Sequence, residues 1–191
     1  MALRHAILAA LLDGERSGYD LAKVFDASLA NFWMATPQQL YRELDQMETA
    51  GLIDTRTVVQ QRRPNKRVHS VTDAGRAALS AFIAEPAKPT VIRDDVLVKV
   101  QGMDGADEAA ARSAVADGLE WSSAKLARYE ALRAAMLAGR SEHAYLQEAD
   151  RVGPYLTLMR GIAFEQENIR WAEFALAVID RRSGDRVNAD D

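Results

Sequence analysis

Apolar residues in the first half of the chain recur at helical spacing in short runs separated by strong stop signals. Leu3, Ile7 and Leu11 stand at i, i+4 and i+8 and predict one helix, which Gly14 ends. Ser17 and Asp20 match the S-x-x-D start signal and precede Leu21, Val24, Phe25 and Leu29 at helical spacing, a second helix. Thr36-Pro37-Gln38-Gln39 joins an N-cap threonine, a proline at the first helical position and a capping-box glutamine. The third helix that follows carries Leu40, Leu44 and Met47 on one stripe, with Gln38, Gln39, Arg42, Asp45 and Gln46 opposite, and Gly51 stops it. From Leu52 to Val59 the period changes to two, with Ile53, Thr55, Thr57 and Val59 alternating. After the turn residues Pro64-Asn65, Val68, Ser70 and Thr72 form a second short run, so the segment reads as a β-hairpin. Thr72 and Asp73 start a fourth helix, whose Leu79, Phe82 and Ile83 are expected to face inward, and Pro86 and Pro89 break it.

The stretch from Glu85 to Thr90 is the expected boundary, giving a domain over 1–86, a second over 91–182 and a frayed tail over 183–191 rich in Gly, Asp and Asn. The second half predicts a short apolar helix from Asp94 to Val100, a long alanine-rich one from Asp107 to Leu137 and a last one from Pro154 to Arg181. On this last helix Tyr155, Ile162, Ile169 and Leu176 are seven apart, as are Phe164, Trp171 and Val178 on a stripe about 200° away at ~100° per residue. A helix apolar on two opposed faces needs two covers. Either both lie within one subunit, or the chain supplies one and a second copy of it the other; the second arrangement is the expectation, with all seven residues as dimerisation candidates.

Composition narrows the chemistry. Among 191 residues, 48% are hydrophobic and 27% charged, an ordinary globular balance. Cysteine is absent and His5, His69 and His143 are scattered, so no metal site and no cofactor is expected. No Gly-rich phosphate loop, G-x-S-x-G elbow or histidine beside a nucleophile points to an enzyme. The apolar start from Leu3 to Leu12 contains Arg4 and His5 and reads as a core helix rather than an export signal, and no run approaches the ~20 apolar residues of a membrane span. A cytoplasmic protein without a membrane partner is expected. The net charge of −4 argues against a polyanionic partner, but Arg56, Arg62, Arg63, Lys66 and Arg67 follow one another with no acidic residue among them.

Three short helices, a basic hairpin and a further helix are the order of a winged helix-turn-helix, in which the third helix enters the major groove of DNA and the hairpin lies along the backbone or in the minor groove. The expected fold is therefore mainly α with a small β-hairpin: an N-terminal winged helix-turn-helix followed by a helical dimerisation domain. Gln38, Gln39 and Arg42 lie near the start of the third helix, where amide and guanidinium groups form bidentate bonds to adenine or guanine edges; Thr36 caps the same end. Arg62, Arg63, Lys66 and Arg67 suit phosphates or the minor groove, although such a run is also what a soluble hairpin tip looks like. Ser17 and Tyr19 sit where the second helix would cross the backbone, and a hydroxyl there bonds phosphate; Tyr19 equally suits packing.

The run Ser17-Gly18-Tyr19-Asp20-Leu21, then Phe32-Trp33, Gln39-Leu40-Tyr41-Arg42-Glu43-Leu44, Glu48, Gly51-Leu52-Ile53 and Val71-Thr72-Asp73-Ala74-Gly75 resembles the PadR family of transcriptional regulators. The second half is similar in layout to the longer members, whose C-terminal helices form the dimer. The resemblance implies a double-stranded DNA operator as partner, a repressor released from DNA by a small-molecule effector, Tyr41 and Arg42 as recognition-helix positions, and the Arg62 to Arg67 segment as the wing. The usual wing glycine is replaced here by Arg63-Pro64-Asn65. Trp33, Trp121 and Trp171 are candidates for the walls of an effector pocket, against ordinary packing roles. The rival reading is a winged-helix protein-interaction module without DNA affinity, which has no need of basic residues uncompensated at the hairpin tip.

Overall fold

The computed structural model describes residues 2–25, 35–59, 65–87, 89 and 93–189, and divides into two units, Met1–Pro89 and Thr90–Asp191. Each is built on its own core.

In the first unit the order is α1 (Ala2–Leu11), β1 (Arg16–Ser17), α2 (Gly18–Val24), α3 (Pro37–Thr49), β2 (Ile53–Val58), β3 (Lys66–Val71) and α4 (Asp73–Ala84). The predicted stripes form its core: Ile7, Leu8 and Leu11 of α1, Leu21 and Phe25, Leu40, Leu44 and Met47 of α3, Ile53 and Leu79 are all buried together. Each such side chain contributes about 1.5–3 kcal/mol. The caps fall where the sequence puts them. Ser17 with Asp20, and Thr36 with Gln39, make complete capping boxes, and Pro37 stands in the first turn of α3. Gly51, at φ 68°, turns the chain out of α3. Thr72 caps α4 by accepting from the Gly75 amide at 3.0 Å and donates to the Gly51 carbonyl at 2.7 Å, which ends β3 at Val71 and makes Thr72 a cap rather than a strand residue. Gly75 is required by packing, because a Cβ there would stand 2.1 Å from the Leu52 carbonyl oxygen.

Two features depart from the sequence pattern. The hairpin of β2 and β3 gains a third strand, since β1 pairs with β3 through Arg16 opposite His69 and Ser17 opposite Val68. Of the α4 residues expected inside, Leu79 is buried but Phe82 and Ile83 are 39% and 72% exposed. The core ends below the last turn of α4, and Phe82 instead stacks flat on His5 at 4.0 Å.

The second unit comprises α5 (Asp95–Gly102), α6 (Glu108–Leu137), α7 (Glu142–Glu148) and α8 (Gly153–Ala189). Asp107 caps α6, and Ala138 and Gly139 end it in left-handed conformations. The helix α7 has no counterpart in the sequence reading. The backbone of α8 continues through Ala189. Helices α6 and α8 run antiparallel: Arg112 pairs with Asp180, Lys125 with Glu165 at 2.7 Å, and Arg133 donates to the Tyr155 hydroxyl at 3.0 Å. Apolar packing between them forms two clusters, one around Val115, Ala172 and Ala175, the other around Tyr129, Leu158 and Ile162. Between these in sequence lie Ser122 and the buried Glu165, whose carboxylate takes bonds from Lys125 and from Asn168 at 3.2 Å.

The two predicted faces of α8 separate here. Tyr155 and Ile162 are buried within the chain itself, and Ile169 and Leu176 are half-buried. On the opposed stripe Phe164 is 41% exposed, Trp171 and Val178 are half-buried, and Phe174 and Leu156 add exposures of 65% and 57%.

Candidate nucleic-acid interface

The inner face of α3 is sealed by Leu40, Leu44 and Met47, and its outer face is fully available: Gln38, Gln39, Tyr41, Arg42, Asp45, Gln46 and Thr49 are all exposed. The helix is fixed at its start by the Thr36 cap and along its length by Arg4 of α1, which donates to Glu43 at 2.9 Å. Thr36 accepts from the Gln39 amide at 3.2 Å, and the Gln39 side-chain oxygen accepts in return from the Thr36 amide at 3.0 Å. Gln39 is thereby partly committed to the cap, whereas Gln38 and Arg42 are exposed and take no part in it among the described residues.

Ser17 is buried, donates to Asp20 at 2.7 Å and caps α2. Its hydroxyl is spent inside the fold instead of facing out toward phosphate. The bond from Ser17 holds the Asp20 carboxyl below the usual carboxylate range. Tyr19 is 62% exposed with the Lys23 ammonium 4.5 Å from its ring, a surface position and not a packing one. Tyr41 lies over Gly18, where a Cβ would come within 2.3 Å of its ring. This explains the Ser17-Gly18-Tyr19 run: glycine lets the ring of α3 rest on the start of α2. Ser17, Gly18, Tyr19, Tyr41, Leu44, Asp45, Asn65, Lys66, Arg67 and His69 line a groove of about 320 Å³ between α2, α3 and β3. His69 is buried at its base, bonded to the Thr55 hydroxyl at 3.0 Å; burial first, then the neighbouring Arg67 charge, lowers its pKa.

Lys66 is exposed at the start of β3, while Arg62 and Arg63 lie outside the described residues. The expectation of basic residues without acidic partners fails at two positions. Arg56 is bound to Glu15, holding that carboxyl below its ordinary range. Arg67 donates to Asp45 at 3.0 Å and also to Glu48, both on α3. The partners come from other elements, which a local count of charges does not see.

Trp33 lies outside the described residues, Trp121 is 69% exposed on α6 and Trp171 packs half-buried against the Val115, Ala172 and Ala175 cluster. The residues overlooked in the sequence are Phe174 and Leu156 on the exposed stripe of α8; extending the stripe from Trp171 by three would have found Phe174. Among the described residues no helix is long and apolar enough to cross a membrane.

This architecture has known counterparts. The family model described as "Transcriptional regulator PadR-like family" matches residues 7–81, and that described as "Virulence activator alpha C-term" matches residues 92–180. A probable transcriptional regulator of Mycobacterium tuberculosis is 36% identical over 95% of this chain and 100% of its own. The structure of Bacillus subtilis PadR in complex with operator DNA is similar with a TM-score of 0.76 and 28% identity, covering 94% of this chain and 99% of that one. The same protein in complex with p-coumaric acid gives a TM-score of 0.69. The Vibrio cholerae virulence activator AphA is similar with a TM-score of 0.68 and 31% identity, covering 94% and 99% of the two chains.

Proposed function

Because this chain belongs to the PadR-like family of transcriptional regulators, we propose that it is a cytoplasmic, non-enzymatic homodimeric repressor that binds a double-stranded operator and leaves it on binding a small molecule. The observation that carries the reading is the division of α3 into a sealed apolar face and an outer face of base-bonding groups, on a helix locked by its cap and by Arg4. A rigid helix presenting amide and guanidinium groups is what direct reading of the major groove requires. Gln38 and Arg42 take the base edges. Tyr19, Tyr41 and Lys66 meet the sugar-phosphate backbone, with Arg62 and Arg63 at the hairpin tip. Ser17 and Thr36 act by fixing helix ends, and Gln39 contributes through the cap of α3.

Dimerisation is assigned to the exposed stripe of α8, where Phe164, Trp171, Phe174 and Val178 need a cover that the described chain leaves unsupplied. The effector reading rests on the similarity to a regulator solved both with operator DNA and with p-coumaric acid.

The test is retention of genomic fragments by the purified protein at moderate salt with excess nonspecific competitor, beginning with the DNA just upstream of its own coding region. A discrete retained set is expected, and Arg42→Ala is expected to weaken binding to it by ~1 to 3 kcal/mol with little change on random duplex. No enrichment over competitor would overturn the reading in favour of a winged helix that binds protein.

A further inference from the structure

Gln38, Arg42, Asp45 and Thr49 stand at i, i+4, i+7 and i+11 on α3 and form one exposed line. Asp45 is the exception among them, being an acceptor only and carrying negative charge on the face assigned to a polyanion. An isolated carboxylate there would be repelled by every nearby phosphate. The structure supplies the counter-charge. Arg67 of β3 donates from Nη1 to Asp45 Oδ1 at 3.0 Å and from Nη2 to Glu48 one turn further along α3. The bond to Asp45 leads the effects that raise the Arg67 pKa above its ordinary value, so this cation does not titrate away. Only Oδ1 of Asp45 is engaged by Arg67, and the side chain remains 64% exposed. Arg42, Asp45, Gln46 and Thr49 together line a shallow depression on the outside of the helix.

A carboxylate held through one oxygen by a guanidinium that it shares with Glu48, and itself 64% exposed, is suited to accept a hydrogen bond from the cytosine 4-amino group, the major-groove donor that Asp and Glu recognise. We propose that Asp45 reads a cytosine in the operator and that Arg67 is its positioning residue rather than a phosphate contact. This rests on α3 being the reading helix. It gives the pairing across β3 and α3 a purpose that an exposed ion pair, worth little to stability, does not have.

The experiment selects from a library of random duplexes with the wild-type protein and with Asp45→Ala, Asp45→Asn, Arg67→Ala and Arg67→Lys, then measures salt dependence on the wild-type sequence. Wild type is expected to select a motif with a C·G pair at one position of each half-site. Asp45→Ala should lose discrimination at that pair by roughly 5- to 150-fold and keep the rest of the motif. Asp45→Asn should move the preference there toward adenine, which asparagine bonds through N6 and N7. Arg67→Ala should lose the same discrimination with an unchanged salt slope, and Arg67→Lys should restore part of it.

Recovery of the wild-type motif by folded Asp45→Ala would overturn the base-reading role. A retained motif for Arg67→Ala, with a log–log salt slope lower by roughly 1.8 per dimer, would overturn the positioning role and make Arg67 a phosphate contact. If the wild-type protein selects no motif at all, the DNA-reading function fails and takes this inference with it.

Discussion

The two units of this protein solve the burial problem differently. The N-terminal unit closes one core from α1, α2, α3, β2 and α4, and large side chains such as Ile7, Leu21, Leu44 and Met47 lie within 1% of complete burial. The C-terminal unit pairs two long helices through two small clusters, one with Ala172 and Ala175 on Val115 and the other around Tyr129, with the Lys125–Glu165 pair between them. It leaves Trp121, Phe164 and Phe174 at 69%, 41% and 65% exposure. Tyr129 and Tyr155 are buried inside this unit, whereas these three aromatics stay at its surface. On the proposed function, the first unit carries the reading helix and the second is completed by another copy.

Breaking that second cover should have the largest effect. Phe174→Arg places a charge in the centre of the aromatic stripe, and dimer affinity is expected to fall by at least ~2 kcal/mol, about thirtyfold. Sedimentation at micromolar concentration checks this, and a variant that still sediments as wild type would show that the stripe is not the interface. Because the first unit has its own core, its far-ultraviolet signal and fold should survive the substitution.

The converse substitution attacks the first unit. Leu44→Ala empties a buried position between α1, α2 and α3 and is expected to cost about 2–5 kcal/mol of stability, read by denaturant unfolding. Its effect on self-association should be small, since no residue of the second unit's core changes. A Leu44→Ala protein that lost its dimer before its N-terminal fold would blur the distinction between the units.

Much of the first unit could be read in the chain because its signals are local. Thr36, Pro37 and Gln39 specify where α3 starts within four residues, and Leu40, Leu44 and Met47 specify its buried face. Strand β1 was illegible for the opposite reason: Arg16 and Ser17 carry no alternating pattern, and their extended conformation comes from pairing with His69 and Val68 more than fifty residues away. Separations of 41 and 22 residues likewise hid Glu15, the partner of Arg56, and Asp45, a partner of Arg67. On α8 a period of seven revealed two apolar faces, but the periodicity could not say that Tyr155 belongs to the chain's own core; that depends on Arg133 and Glu142, which bond its hydroxyl at 3.0 and 2.7 Å.

The smallest effect concerns pH, and it also separates the units. His69 is buried with its pKa lowered by burial and by Arg67, so the folded state binds a proton less readily than the unfolded chain. The stability this neutral ring preserves is complete above the unfolded value of about 6.5 and is lost as pH falls below it toward the folded value. Unfolding of the N-terminal unit should therefore become easier as pH falls below about 6.5, and His69→Asn should flatten that dependence. An unchanged pH profile in the variant would mean that other groups set it.

The most direct test of the whole account is a hydroxyl-radical footprint on a retained genomic fragment. A dimer carrying two copies of α3 predicts protection of two half-sites related by two-fold symmetry, with centres about 10 to 10.5 base pairs or a multiple of that apart. Phe174→Arg should lose this paired protection at the same protein concentration. A single asymmetric protected stretch, or the paired footprint persisting in a monomeric Phe174→Arg protein, would contradict the claim that one unit reads DNA and the other exists to double it.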